Sequence, residues 1–194
     1  MSDGQLGFAL LEIARRAIGA RFGLGGEAAS AQPTLGALSA PGATFVTLFC
    51  REELRGCIGS LRASRPLRDD VRENAINAAF HDPRFAPLAA VEFESLSVEV
   101  SLLSPSTSHR FATENDLVAR LEAGVDGVTL EYGAHRATFL PQVWEALPDP
   151  RLFLAELKRK AGLANDFWSP RLEVGLYRVT KWKESDFSTV RVLQ

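Results

Sequence analysis

The run Leu54-Arg55-Gly56-Cys57-Ile58-Gly59-Ser60 sets a thiol and a guanidinium inside a glycine-bracketed apolar stretch just ahead of a predicted helix. Glycine on either side of a cysteine leaves room for a ligand or another backbone to approach the sulfur. If the stretch is an extended strand, Arg55 and Cys57 point to one face. A guanidinium there favours the thiolate, the form that attacks electrophiles and binds metals. The competing reading is a buried structural cysteine whose glycines only ease sheet packing.

A second dense segment is His81-Asp82-Pro83-Arg84-Phe85-Ala86-Pro87-Leu88. Its two prolines stiffen the path and hold charged side chains in fixed directions. His81 is a candidate base for Cys57 in a thiol-imidazole pair, or the favourable cap of a helix C-terminus. Asp82 and Arg84 either brace the loop or bind a ligand. Glu99, between Val98 and Val100, faces solvent by default, or else lies in a polar cleft where its pKa rises or it pairs with an arginine. Six arginines between Arg51 and Arg72, set against Glu52, Glu53, Asp69 and Asp70, would hold a small anion such as a phosphate or carboxylate, or simply pair with those acids.

The elements that must position these residues follow from periodicity. Leu6, Ala9, Leu10, Ile13, Ala14 and Ala17 predict an amphipathic helix. Gly23 to Pro41 reads as a loop that covers a site or merely connects. Thr44 to Cys50 and Leu54 to Leu61 predict a hairpin whose turn, Arg51-Glu52-Glu53, lacks Gly or Asn, so the register, and with it the separation of Cys50 from Cys57, stays open. Ser64 as N-cap and Pro66 in the first turn start a helix that stops near His81. In Glu94 to Leu103, Leu96, Val98, Val100 and Leu102 alternate with Ser97, Glu99 and Ser101, the pattern of a strand with one apolar face.

Further on, Thr113 and Asp116 cap a short helix, and Gly127–Glu131 and His135–Leu140 form two strands. Helices open at Pro141 and at Pro150, the latter ending at Gly162, and Leu172 to Trp182 is a closing strand. Trp144, Trp168 and Trp182 are expected in the core rather than on a stacking platform. Hairpins interleaved with helices predict an α+β fold with a mainly antiparallel sheet and flanking helices.

Whole-chain properties narrow the function. The chain has 194 residues, 46% apolar and 24% charged, with a formal net charge of −2. That charge and the lack of a long basic stripe argue against nucleic acid binding. No apolar run is long enough to span a membrane, and the N-terminus lacks the basic start and apolar core of a signal peptide, so a cytoplasmic location is expected. Two cysteines are too few for a disulfide scaffold. The spacing of His81, His109 and His135 supports no metal site, including one built from Cys57, a histidine and Glu99.

In order along nearly the whole chain, Phe45-Val46-Thr47-Leu48, Leu54 to Gly59, Asp82-Pro83-Arg84-Phe85, Val98 to Pro105, Gly124 to Val128, Thr138 to Trp144 and Lys160 to Leu163 resemble the AMMECR domain family of the AmmeMemoRadiSam system. The resemblance implies one domain over 1–194 with a larger and a smaller lobe and a cleft between them near the cysteine motif. It also implies association with Memo-like and radical SAM proteins, and it supplies neither a reaction nor a cofactor. The positions it carries over are Arg55, Gly56, Cys57, Gly59, Asp82, Pro83, Arg84, Glu99 and Gln142. With His81, these give a candidate site in which Cys57, Arg55, Glu99 and His81 do chemistry and Gly56, Gly59, Asp82, Arg84 and Gln142 hold a substrate. The alternative is a non-catalytic module that docks those partners.

Overall fold

Alternation in the first long strand sets the architecture. In β1 (Pro41–Cys50) Val46 and Leu48 are fully buried, and in β4 (Leu96–Leu103) so are Val98 and Val100. These residues share a core with Leu10, Ala14 and Ile18 of α1 (Asp3–Ala20) and Val71, Ala75 and Ala78 of α3 (Leu67–Phe80). Both helices therefore cover one face of the sheet, which leaves Thr47 and Glu99 on the other. The computed structural model describes residues 3–24 and 36–187.

The chain divides into two compact units, Met1–Leu103 with Thr180–Gln194, and Ser104–Val179. The larger unit holds a five-stranded sheet in the order β2 (Glu53–Gly59), β1, β4 and β9 (Val179–Lys183), with the two-residue β3 (Arg65–Pro66) paired to β1. A short helix, α2 (Gly36–Ser39), precedes β1, and a 3-10 helix, Ala90–Ser95, precedes β4. Trp182 of β9 lies against Gly7 of α1, where any side chain at position 7 would overlap the indole. The smaller unit has a sheet in the order β5 (Thr107–His109), β8 (Glu173–Tyr177), β6 (Gly127–Tyr132), β7 (His135–Phe139), with α4 (Glu114–Arg120) and α5 (Pro150–Lys160). Its core gathers Leu117, Val128, Leu130, Phe153, Leu157 and Val174, and Trp144 stacks on Phe153 at 3.7 Å between ring centroids. The fold is α+β with mainly antiparallel pairing.

Four sequence expectations change. Of the segment Gly23 to Pro41, residues 25–35 lie outside the described residues, 36–39 are helical and β1 already begins at Pro41. Pro66 rather than Ser64 is the N-cap of α3, because Arg65 and Pro66 are still extended and paired with β1. Leu172 to Trp182 is two strands in two sheets, parted at Arg178, whose N–H donates to the Ser104 hydroxyl at 2.9 Å. The Pro141 helix is a 3-10 turn, Pro141–Glu145. His81 does end α3, its backbone N–H donating to the Asn77 carbonyl.

A candidate thiol site on the sheet face away from the helices

The hairpin turn fixes what the sequence left open. Arg51 (φ 52°) and Glu52 (φ 68°) are both left-handed, the geometry of a two-residue type I′ turn built without Gly or Asn. Cys50 then pairs with Glu53, and Cys57 with Thr47, so the two cysteines sit three residues apart along the hairpin, about 10 Å, too far for a disulfide. Cys50 lies instead beside Ser95, Sγ to Oγ 3.2 Å.

Between these pairs the register slips. Leu48 pairs with Gly56 but Phe49 with Leu54, which leaves Arg55 as the extra residue of a β-bulge. In an unbroken strand Arg55 would share the face of Cys57; the bulge turns it to the side where Gly56 meets α3. Its guanidinium donates to both carboxylate oxygens of Glu92, at 2.8 and 3.1 Å, and to the Pro87 carbonyl at 3.4 Å. This pairing raises the Arg55 guanidinium above its ordinary value and lowers the Glu92 carboxyl, and the nearby Cys50 sulfur adds to the former. With Cys50, Arg51, Glu53, Leu54, Val91, Glu92 and Ser95, Arg55 lines an open cavity of about 500 Å³.

The guanidinium beside Cys57 is that of Arg84. The β2 edge is closed at Cys57 by Asp82 and Arg84: the Cys57 N–H donates to Asp82 Oδ2 at 2.8 Å, and Arg84 Nη2 donates to the Cys57 carbonyl at 3.3 Å. Asp82, 4% exposed, also accepts from Arg84 Nη2 at 2.7 Å, Nε at 3.0 Å and the backbone N–H at 3.1 Å. These donors, Arg84 foremost, hold the Asp82 carboxyl well below the usual carboxylate range against the opposing effect of burial. The Arg84 guanidinium is raised in turn, chiefly by Asp82 and further by the Cys57 sulfur within its reach.

Across the sheet, register places Cys57, Thr47 and Glu99 in one row on three adjacent strands. The Cys57 sulfur and the Thr47 hydroxyl are 3.3 Å apart. Glu99, 6% exposed, is not solvated: Lys181 Nζ lies 3.0 Å from Oε1 and Lys183 Nζ 3.5 Å from Oε2. The default expectation of a solvated Glu99 therefore fails, and its cation partners are two lysines of β9 rather than an arginine.

Both motif glycines are filled by the chain itself. A Cβ on Gly56 would overlap the Ala78 carbonyl oxygen of α3, and one on Gly59 would enter the Phe45 ring. The exposed ring of His81 makes no hydrogen bond among the described residues. Gln142, exposed on its 3-10 turn, belongs to the other unit. Among the described residues no three His, Cys, Asp or Glu side chains gather as a metal site, and no helix is long and apolar enough to cross a membrane. Sequence reasoning missed Thr47, Lys181 and Lys183, whose only signal was parity along strands of undetermined register. Glu92 it did not single out.

This α+β architecture with its LRGCIG strand defines a class of protein, and comparison supports it. The model of the AMMECR1 family matches residues 11–182, and the chain belongs to that family. A protein of Methanopyrus kandleri is 33% identical over 186 residues, 91% of this chain and 87% of that one. One from Methanococcus aeolicus is 36% identical over 140 residues, 71% and 70% of the two chains. The crystal structure of an uncharacterized protein from Pyrococcus horikoshii superposes with a TM-score of 0.77 at 32% identity, covering 92% of this chain and 91% of that one.

Proposed function

We propose that the protein is a thiol-dependent enzyme, or a subunit of one, that uses Cys57 as the nucleophile toward a small anionic molecule. The observation that carries this reading is the Arg84 guanidinium, fixed by the buried Asp82 carboxylate and donating to the Cys57 carbonyl at 3.3 Å. A cation held there attracts an anion toward the cysteine. Thr47 at 3.3 Å is a hydroxyl that can donate to or accept from the sulfur, whereas Glu99, two strands away in the same row and paired to two lysines, is out of direct proton-transfer reach. Asp82 is a positioning residue. Arg55, paired to Glu92 behind the bulge, takes no part beside Cys57.

The test is the iodoacetamide alkylation rate of Cys57, measured in a Cys50→Ser chain so that one thiol reports. Arg84→Gln and Asp82→Asn are each expected to slow it roughly three- to tenfold near neutral pH by removing or releasing the guanidinium. Unchanged rates in folded variants would defeat the reading. The alternative function, a module docking the Memo-like and radical SAM proteins that the family resemblance implies, would gain if such a partner co-purifies stably while the thiol reacts like free cysteine.

A further inference from the structure

Lysine ammonium groups carry three donors each, and among the described residues the Lys181 and Lys183 ammonium groups are each ion-paired to Glu99 and to no other carboxylate. Their side chains are 44% and 55% exposed, while the Glu99 side chain between them is 7% exposed. One buried carboxylate thus holds two half-exposed cations side by side, each with donors to spare and together carrying one net positive charge. Glu99 lies two strands from Cys57 in the same row, about 10 Å at the spacing of paired strands.

We infer that the Lys181–Glu99–Lys183 cradle is the anchor for the anionic end of the substrate, a carboxylate or phosphate group carried about 10 Å from the carbon that meets the Cys57 sulfur. This rests on the reading of Cys57 as the nucleophile and adds its substrate class: an extended anion that lies across β4, β1 and β2 rather than a compact one held by Arg84 alone. Thr47, between the two ends, faces the middle of such a molecule.

A matched pair of reagents tests it in the Cys50→Ser chain: 6-(iodoacetamido)hexanoate, whose carboxylate has the required reach, and its neutral primary amide. Iodide leaves as the sulfur–carbon bond forms in both cases, and only the remote charge differs. The anion is expected to alkylate Cys57 roughly tenfold faster than the amide, and inorganic phosphate to suppress that advantage. In Lys181→Gln/Lys183→Gln the advantage, read as the ratio of the two rates in the same chain, should fall to near one. That variant strands the buried Glu99 carboxylate, so a Glu99→Gln/Lys181→Gln/Lys183→Gln chain, which strands no charge, must lose it too. Equal rates in the parent, or a preference that survives both sets of substitutions and so belongs to Arg84, overturns the inference. The neutral amide alone reports on Cys57 as a nucleophile: its sensitivity to Arg84→Gln stands or falls separately.

Discussion

At the scale of single residues, the motif divides into positions that shape the strand and positions that could act. Gly56 is structural: a side chain there would meet a carbonyl oxygen of α3, and backbone cannot step aside as a flexible side chain can. Cys57 is half-buried, its sulfur 3.3 Å from the Thr47 hydroxyl. Gly56→Val is therefore expected to cost at least about 3 kcal/mol or to prevent folding, whereas Cys57→Ser should cost about 1 to 2 kcal/mol. Urea melts of the two variants decide it. If Cys57→Ser unfolds as readily as Gly56→Val, the cysteine is a packing element and the thiol chemistry proposed for it loses its ground.

At the scale of elements, the β1–β2 hairpin decides which side chains become neighbours. Its turn places two non-glycine residues at positive φ, which L residues adopt at a cost of about 1 kcal/mol or more each. Replacing Arg51-Glu52 with Asn-Gly should raise stability by about 1 to 2 kcal/mol, read as a shift in urea midpoint at unchanged slope. A loss would mean that Arg51 or Glu52 makes contacts worth more than the strain. The same hairpin shows what the sequence could and could not reveal. The strand, its cysteine, the Asp82-Pro83-Arg84 brace and the apolar alternation around Glu99 are local patterns, and they were legible. The separation of Arg55 from Cys57 was not, because a bulge depends on the register of a turn that carries no glycine signal. Nor was the arrival of Lys181 and Lys183, because the apparent single strand from Leu172 to Trp182 divides at Arg178 between two sheets.

At the scale of the whole molecule, the two units carry opposite sensitivities to pH. In the larger unit Asp82 and Glu92 are held below their ordinary values by Arg84 and Arg55. Their ionised forms favour the fold: this stability is fully present above the unfolded carboxylate range near ~4 and is lost as pH falls through the lowered folded values. In the smaller unit burial pushes the Tyr177 phenol up to about 12, despite a hydrogen bond with Thr138. Tyr177 is 4% exposed, and its hydroxyl donates to the Phe139 carbonyl at 3.0 Å, so the fold requires the neutral form. That contribution is complete below the unfolded phenol value near ~10 and fades as pH rises from there toward the folded one, on the order of 3 kcal/mol in all. Acid should accordingly release the larger unit first and alkali the smaller. Hydrogen exchange read by mass spectrometry would show early loss of protection in β1, β2 and α3 at low pH, and in β6, β7 and β8 above pH ~10. Tyr177→Phe removes the titrating hydroxyl, and the alkaline loss of protection in the smaller unit should shrink with it. Simultaneous opening of both units at each extreme would show that these local pairings do not govern where the molecule first gives way.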